Sequence, residues 1–403
     1  QDVSPNVSVS ERFAANFEPF GIRAGGFTLF PSLTYSQIYD DNIFGANTGE
    51  TDDFIADAGG ALTLRSNWSR HSLELFSTAR RQQYFDNSDE STTDYTFGTR
   101  GFLEVASRAR IGFNAARWRA TEARRVTQTA IGGANPVRFE TTGAGVDVDI
   151  SQTRLREQFG VAYLKDDFDD VALLVGPGVI DQDFRDREVY TAYFRQSVRI
   201  RPTVAAFAEL RGEKQEYGAA QLLFDPAVGA VRDTFRDSKG YSVFGGVAFD
   251  INKVARGEIG AGYQERNYDD ALFEDVSGFS VNTKFEYFMT DLTTVTIAAD
   301  RTILDSAVPG FAGYYSNGAS VTVEHELLRP ILLTASVSFR RDDFRSVDRE
   351  DDALRLTVGA DYAFRRNVVF SLRYDRFDVN SRGSAARLGF DENVVRFGIE
   401  LRL

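Results

Sequence analysis

The feature that most limits what this chain can fold into is a period-two alternation of apolar and polar residues, recurring from about residue 27 to the last residue. From Asn393 to Leu403 the chain reads N-V-V-R-F-G-I-E-L-R-L. In an extended strand Val395, Phe397, Ile399, Leu401 and Leu403 fall on one face, and Arg396, Gly398, Glu400 and Arg402 on the other. The same split sets Phe279, Val281, Thr283, Phe285 and Tyr287 against Ser280, Asn282, Lys284 and Glu286. It also sets Leu354, Leu356, Val358, Ala360 and Tyr362 against Arg355, Thr357, Gly359 and Asp361. Burying so many ionisable groups in a dry interior costs several kcal/mol for each unpaired charge. A water-filled lumen removes that cost, and lipid suits the opposite face. The expected fold is therefore all-β, a single closed antiparallel transmembrane β-barrel with its polar face inward.

The alternating runs number about eighteen, many of them about 13 residues long, whereas a tilted strand crosses the apolar core of a membrane in about 9 to 11. A soluble sandwich or propeller would show strands of about 5 or 6 residues with turn signals every 8 to 12 or so. Connections alternate between short ones, such as 66–70, 151–152, 201–202, 252–253 and 365–366, and long ones, such as 40–53, 124–137, 167–187, 217–237 and 305–313. Outer-membrane barrels have short periplasmic turns and longer extracellular loops. An even strand number puts both termini on the periplasmic side. Residues 1–26 lack sustained alternation and are expected to form a periplasmic N-terminal segment, ordered only over 17–26, with the barrel at 27–403. Tyr39, Tyr84, Tyr217, Tyr268, Phe344 and Phe377 near the loops, and Phe249, Tyr287, Phe288 and Phe364 near the turns, are expected to form two interfacial girdles.

No apolar run of about 18 residues is present, so a spanning helix is excluded. The chain begins at Gln1 without Met, a basic stretch or an apolar stretch. A secreted protein looks like this once its signal peptide is gone, so 1–403 is expected to be a mature outer-membrane form. The net charge of -13 argues against a nucleic-acid partner. Acidic runs such as Asp166-Asp167, Asp169-Asp170 and Glu350-Asp351-Asp352 sit beside strand ends and suit solvated loops. Bridging by divalent cations to lipopolysaccharide phosphates is the sharper alternative. The expected surroundings are outer-membrane lipid and lipopolysaccharide.

Gly21 to Phe44 reads G-I-R-A-G-G-F-T-L-F-P-S-L-T-Y-S-Q-I-Y-D-D-N-I-F and is followed by W-S-R-H at 68–71. This opening resembles that of the outer-membrane family called beta-barrel porin 2, specifically over residues 20–76 and only in architecture beyond. Members are often encoded with exopolysaccharide export machinery. The resemblance thus implies an outer-membrane conduit for a secreted polysaccharide, with polysaccharide and periplasmic export machinery as partners. Tyr39 to Asn42, the Y-D-D-N stretch, reads as a strand end and loop start rather than a reactive site.

The two histidines, His71 and His325, fall at turn ends without a catalytic constellation beside them, and no nucleophile-elbow, phosphate-loop, zinc-protease or EF-hand pattern occurs. No enzyme activity, catalytic residue, cofactor or metal site is expected. The candidate lumen-facing charges are Arg100, Glu104, Arg156, Arg195, Arg199, Glu209, Arg211, Lys284, Glu286, Arg340, Arg355, Asp361, Arg373, Arg396 and Glu400. Both signs are present, so strong ion selectivity does not follow. Trp118 and Phe207 are candidates for stacking on sugar rings if they face inward. Val171 to Val175 and Gln221 to Phe224 are apolar stretches within the two longest loops. Exposed apolar segments of this kind are expected to fold over the mouth or to pack against other loops or a partner. Three functions remain open: polysaccharide export, passive diffusion of small hydrophilic solutes, and a structural or adhesive barrel.

Overall fold

Each long alternating segment is a strand in the computed structural model, which describes residues 6–124, 133–306, 308, 310–311, 313–345 and 347–403. The barrel strands are β1 (Phe27–Asp40), β2 (Asp53–Ser66), β3 (Ser72–Tyr84), β4 (Thr92–Ala106), β5 (Ala109–Thr121) and β6 (Arg138–Ser151). They continue as β7 (Leu155–Phe168), β8 (Arg187–Arg201), β9 (Val204–Tyr217), β10 (Ser238–Ile251), β11 (Ala255–Tyr268) and β12 (Val276–Thr290). The last six are β13 (Thr293–Asp305), β14 (Gly313–Leu328), β15 (Ile331–Phe344), β16 (Arg349–Arg365), β17 (Val368–Arg382) and β18 (Phe390–Arg402). Each pairs antiparallel with its neighbour in the chain, and β18 returns to β1 with Ser32 opposite Arg402 and Asp40 opposite Val394. The result is a closed 18-strand antiparallel barrel, as the alternation predicts. Most of the expected 124–137 connection, residues 125–132, lies outside the described residues.

Closure is reinforced at both ends of the seam. Near the turns, the short strand Ile22–Ala24 pairs with β1, Ile22 facing Leu29, where β18 has run out. Near the loops, the Y-D-D-N stretch stitches β1 to β18. Asp41 accepts the Asn393 N–H at 2.6 Å, and Asn42 Nδ2 donates to the Asp391 and Ala46 carbonyls, each at 2.8 Å. Asn42 is 1% exposed, so these bonds are what allow a buried amide there. At the turn ends, register shifts at Arg199/Arg201, Phe288/Thr290, Glu326/Leu328 and Ala363/Arg365 insert bulges that let the strands bend into tight connections.

The face holding Leu33, Leu62, Val358 and Phe397 leaves these large apolar side chains 53 to 63% exposed. Water would disfavour so broad an apolar surface, whereas lipid accepts it. Tyr39, Phe249, Tyr287 and Phe364 take outward positions as the girdles require, whereas the other expected members are turned inward by strand parity. Tyr84, Tyr217, Tyr268, Phe344 and Phe377 share the inward face with Gln82, Gln215, Arg266, Asp342 and Asp375. Tyr217, Tyr268 and Phe344 are buried there. Phe288 is likewise on the inward face, under the Arg256 guanidinium. The lipid-side belt near the loops comprises Tyr39 and Phe54, Tyr163 and Tyr190, and Tyr241 with Tyr263, the first two pairs in ring contact.

Candidate functional site

The lumen wall is built by strand parity. The structure puts all fifteen candidate charges on the inward face of their strands. Most meet an opposite charge on the same wall. Arg355 reaches Asp375 at 2.8 Å, Arg373 reaches Asp361 at 3.0 Å, Lys284 reaches Glu286 at 3.2 Å and Glu104 takes Arg110 at 3.2 Å. Arg100 pairs with Glu74 and Arg156 with Asp149. Arg340 Nη1 donates to Ser316 Oγ at 2.6 Å, Arg402 lies 3.7 Å from Glu400, and Arg199 sits at the β8 bulge. Arg396 shares a recess with Ile38, Tyr84 and Glu392. The partners Glu74, Asp149 and Asp375 fall on inward positions too, so the same parity would have found them.

Phe207 and Arg195 pack together on the wall. The Phe207 ring lies flat across β10 and β11, where a Cβ on Gly246 would come 2.5 Å from it, so only glycine fits. The Arg195 guanidinium stacks over the same ring at 3.8 Å and donates to Glu258 at 3.0 Å and to Glu209 at 3.4 Å. Arg195 on β8 thus bridges to β11, and only the concave inner face permits that reach. Phe207 is therefore covered by Arg195 and offers no free ring for stacking. Trp118 also faces inward, above Gly143 of β6. A recess of about 340 Å³ opens beside Arg195, bounded by Glu209, Glu258, Gln264 and Asn282.

The periplasmic mouth carries a strap that the sequence expectation left unordered. Ser8 caps helix α1 (Val9–Asn16) through a capping box with Glu11. Val9 and Phe13 bury against Leu332, Ala363 and Val369, all inward positions of β15, β16 and β17. On its polar side Ser10 Oγ donates to Glu324 at 2.8 Å, Arg12 Nε donates to Glu326 at 3.1 Å and the Val9 N–H donates to Thr294 Oγ1 at 3.1 Å. Asn6 fastens one end to the β10–β11 turn, accepting the N–H of Lys253, whose φ is 56°. Phe17 fastens the other, its carbonyl accepting from Arg402 at 3.2 Å. The segment from Asn6 to Phe17 thus lies inside the rim from β10 to β18.

A second link, at the extracellular mouth, joins strands from β8 to β13. Pairing of β13 with β12 stops at Arg301, and Asp305 at the end of β13 meets residues of β8 and β11. Arg187 holds Asp166 at 3.0 Å and Asp305 at 3.2 Å, and Arg266 links Asp305 to Glu213. The Tyr268 hydroxyl donates to Asp305 at 3.1 Å. Arg236, 3% exposed, donates to the Ser306 and Phe184 carbonyls and stacks over Tyr217 at 4.7 Å. Three long loops are thereby tied together. The hairpin Gln221–Asp225 with Ala230–Thr234 lays Leu223 on a cluster of Tyr268, Phe273, Val276, Ile303 and Tyr315. Its Leu222 and Phe224 stay exposed.

Loop electrostatics are uneven. In the hairpin, Arg232 holds Asp225 and Asp270, each at 2.7 Å, and these bonds keep both carboxyls below their usual range. In the 169–186 loop, Asp183 is raised by burial and by Asp170, Asp181 and Asp167. Asp170, Asp181 and Asp183 bring exposed carboxylate oxygens within 4.8 Å of one another. His71 Nδ1 accepts the Glu104 N–H at 3.1 Å, and His325 Nδ1 sits 3.0 Å from Thr293 Oγ1, both beside turns.

A closed barrel with a lipid-facing exterior and a charged, hydrated interior defines a protein of the outer membrane, porin-like in class. The model of the family described as "Putative beta-barrel porin 2" matches residues 14–403, and the chain belongs to that family, one of porins rather than enzymes. No curated protein sequence matches it. Among solved structures it is similar to a variant of the ferric enterobactin receptor PfeA from Pseudomonas aeruginosa. That match is at 6% identity, covers 93% of this chain and 80% of that one, and has a TM-score of 0.50. It is also similar to OpdL of the same organism, at 12% identity over 94% and 99% of the two chains with a TM-score of 0.47. OccAB4 from Acinetobacter baumannii matches at 10% identity over 93% and 98%, with a TM-score of 0.45. Such distant likeness speaks to the fold alone.

Proposed function

We propose that the barrel is a passive diffusion channel for small hydrophilic solutes. The observation that carries this reading is the double crossing of the lumen by the chain itself, the α1 strap at one end and the Arg187–Asp305–Arg266 link at the other. An 18-strand barrel alone leaves a wide aqueous channel. With both crossings in place, the remaining passage suits molecules of a few sugar units better than a threaded polymer. Fixed charges of both signs, mostly neutralised by neighbours, favour weak ion selectivity and exchange of hydrogen bonds along the wall. The polysaccharide conduit implied by the family resemblance requires both crossings to move aside, which makes it the second reading.

Reconstituted full-length protein is expected to conduct ions in a planar bilayer and to let proteoliposomes swell in mono- and disaccharides but not in dextran. Free passage of dextran would favour the polymer conduit, and absence of conductance would favour a structural barrel. Deleting the gene distinguishes the same readings in cells. Slower sugar uptake with normal surface polysaccharide supports diffusion, whereas loss of polymer with normal uptake supports export.

A further inference from the structure

The lumen recess beside Arg195 has a charge balance that its own residues leave incomplete. Three arginines, Arg195, Arg211 and Arg266, face four carboxylates, Glu209, Glu213, Glu258 and Asp300. Arg195 reaches both Glu258 and Glu209, Arg211 lies 3.2 Å from Glu209, and Arg266 holds Glu213. Glu265 and Arg301 border the same space but are engaged elsewhere, with the Tyr241 hydroxyl and the Tyr315 ring. Asp300 is the carboxylate left over. Among the described residues it has neither an ion pair nor a hydrogen bond.

The strands set this carboxylate in a cleared row. Phe207, Gly246, Gly260, Asn282, Asp300, Gly318 and Arg340 stand opposite one another on the successive strands β9 to β15, all on the inward face. Glycines thus flank the Asn282 and Asp300 pair on both sides. The Asp300 carboxylate lies over Gly318, where an added Cβ would come 2.4 Å from Oδ1. Arg340, the cation of the row, donates to Ser316 instead. Asn282 is exposed, and its amide likewise has no partner among the described residues. On β11 the Gln264 Nε2 is buried without an acceptor, which is unfavourable until something supplies one. Pairing of β12 with β13 stops one residue beyond Asp300, and Ile303 then closes the loop side of the recess, with Phe244 as a second apolar surface.

We propose that the recess binds a small polyhydroxylated amine of the amino-sugar class. Its ammonium sits on Asp300, its hydroxyls on the amides of Asn282 and Gln264, and the apolar face of its ring against Phe244. An ammonium on a carboxylate makes a charge-assisted bond, and the single surplus negative charge selects one positive charge. Amides both donate and accept, as hydroxyls do, so the two kinds of group match. A volume of about 340 Å³ lies at the small end of ligand pockets and suits one sugar unit. The proposal deepens the small-solute reading and rests on it for the route by which the amine arrives.

Binding and passage are measured separately, so that site and channel can fail independently. Isothermal titration calorimetry on the folded full-length barrel in non-ionic detergent compares glucosamine with three other ligands. Glucose lacks the ammonium, N-acetylglucosamine has an uncharged nitrogen, and methylamine lacks the ring. Heat-modifiable gel migration verifies the folding of each variant. Glucosamine should bind about tenfold or more tightly than each of the other three. Asp300→Asn should remove that advantage, and Gly318→Ala, which displaces the carboxylate without removing its charge, should weaken glucosamine binding as well. Equal binding of glucose, or unchanged affinity in Asp300→Asn, would overturn the proposal. Equal binding of methylamine would reduce the recess to a simple cation site and overturn it too. Glucosamine binding without proteoliposome swelling in any sugar would uphold the site and reject the diffusion channel.

Discussion

Asp186 joins two loops: its Oδ1 accepts the Phe168 N–H at 2.7 Å, and its carbonyl accepts the Gly218 N–H at 2.9 Å. Burial pushes its carboxyl up to about 6, the Phe168 bond opposes that rise, and repulsion from Asp167 and Asp183 adds to it. An acid raised in the folded state favours folding in its protonated form. The contribution is complete below the ordinary carboxylate value and is lost as pH rises through about 6. Hydrogen exchange at the Phe168 amide should therefore be slower at pH 5 than at pH 7 after correction for intrinsic rates, and Asp186→Asn should abolish the difference. A protection factor independent of pH in the unsubstituted protein would contradict the assignment. At this scale the sequence was legible for faces and silent about contacts. Period two placed Arg195 and Glu209 on inward positions but left Phe207 open, and which side chain covers which depends on rotamers and on the glycines at 246 and 260. The aromatic girdles held for Tyr39, Phe249, Tyr287 and Phe364 and not for the rest, since proximity to a strand end does not say which face a ring occupies.

Helix α1 is the element where sequence reading fell short although a signal was present. Ser8 and Glu11 have the spacing of a capping box, and Val9 and Phe13 are four apart on one helical face. An eight-residue helix is marginal by itself, so its order comes from docking on the wall, which no local pattern reveals. The long strands, by contrast, carry their own evidence in every residue. Burying a Val or Phe side chain contributes about 1.5 to 3 kcal/mol, so Val9 and Phe13 account for most of the apolar anchoring of the strap. Phe13→Ala is expected to release α1, raising single-channel conductance and speeding trypsin cleavage at Arg12. Phe20→Ala, at a side chain 80% exposed, should change neither. A Phe13→Ala barrel with unaltered conductance and cleavage would show that the strap neither narrows the passage nor depends on this ring.

Across the whole molecule, the small-solute reading depends on groups that reach from one strand to a distant one, and Asp305 is the keystone of the outer link. Its position at a strand end hid it from the alternation argument, because pairing with β12 has already ceased there and the chain turns toward β8 and β11. Asp305 and Arg266 are nearly buried, with side chains 7% and 11% exposed. Removing one partner of such a pair costs on the order of 3 kcal/mol, since the remaining charges lose their compensation. Asp305→Asn keeps the shape while removing the charge, leaving Arg187 and Arg266 to repel each other across the mouth. Asp166 and Glu213 still hold these arginines to their own sides of the wall, so the crossing should part rather than the barrel unfold. Conductance should increase, and the reversal potential in a salt gradient should shift toward anions because the entrance has lost one negative charge while both arginines stay. Combining Asp305→Asn with Phe13→Ala should raise conductance further than either alone, since the crossings act in series. If the single substitution left both conductance and reversal potential as they were, the mouth would not be the narrow point of the passage, and the small-solute reading would lose one of its two supports.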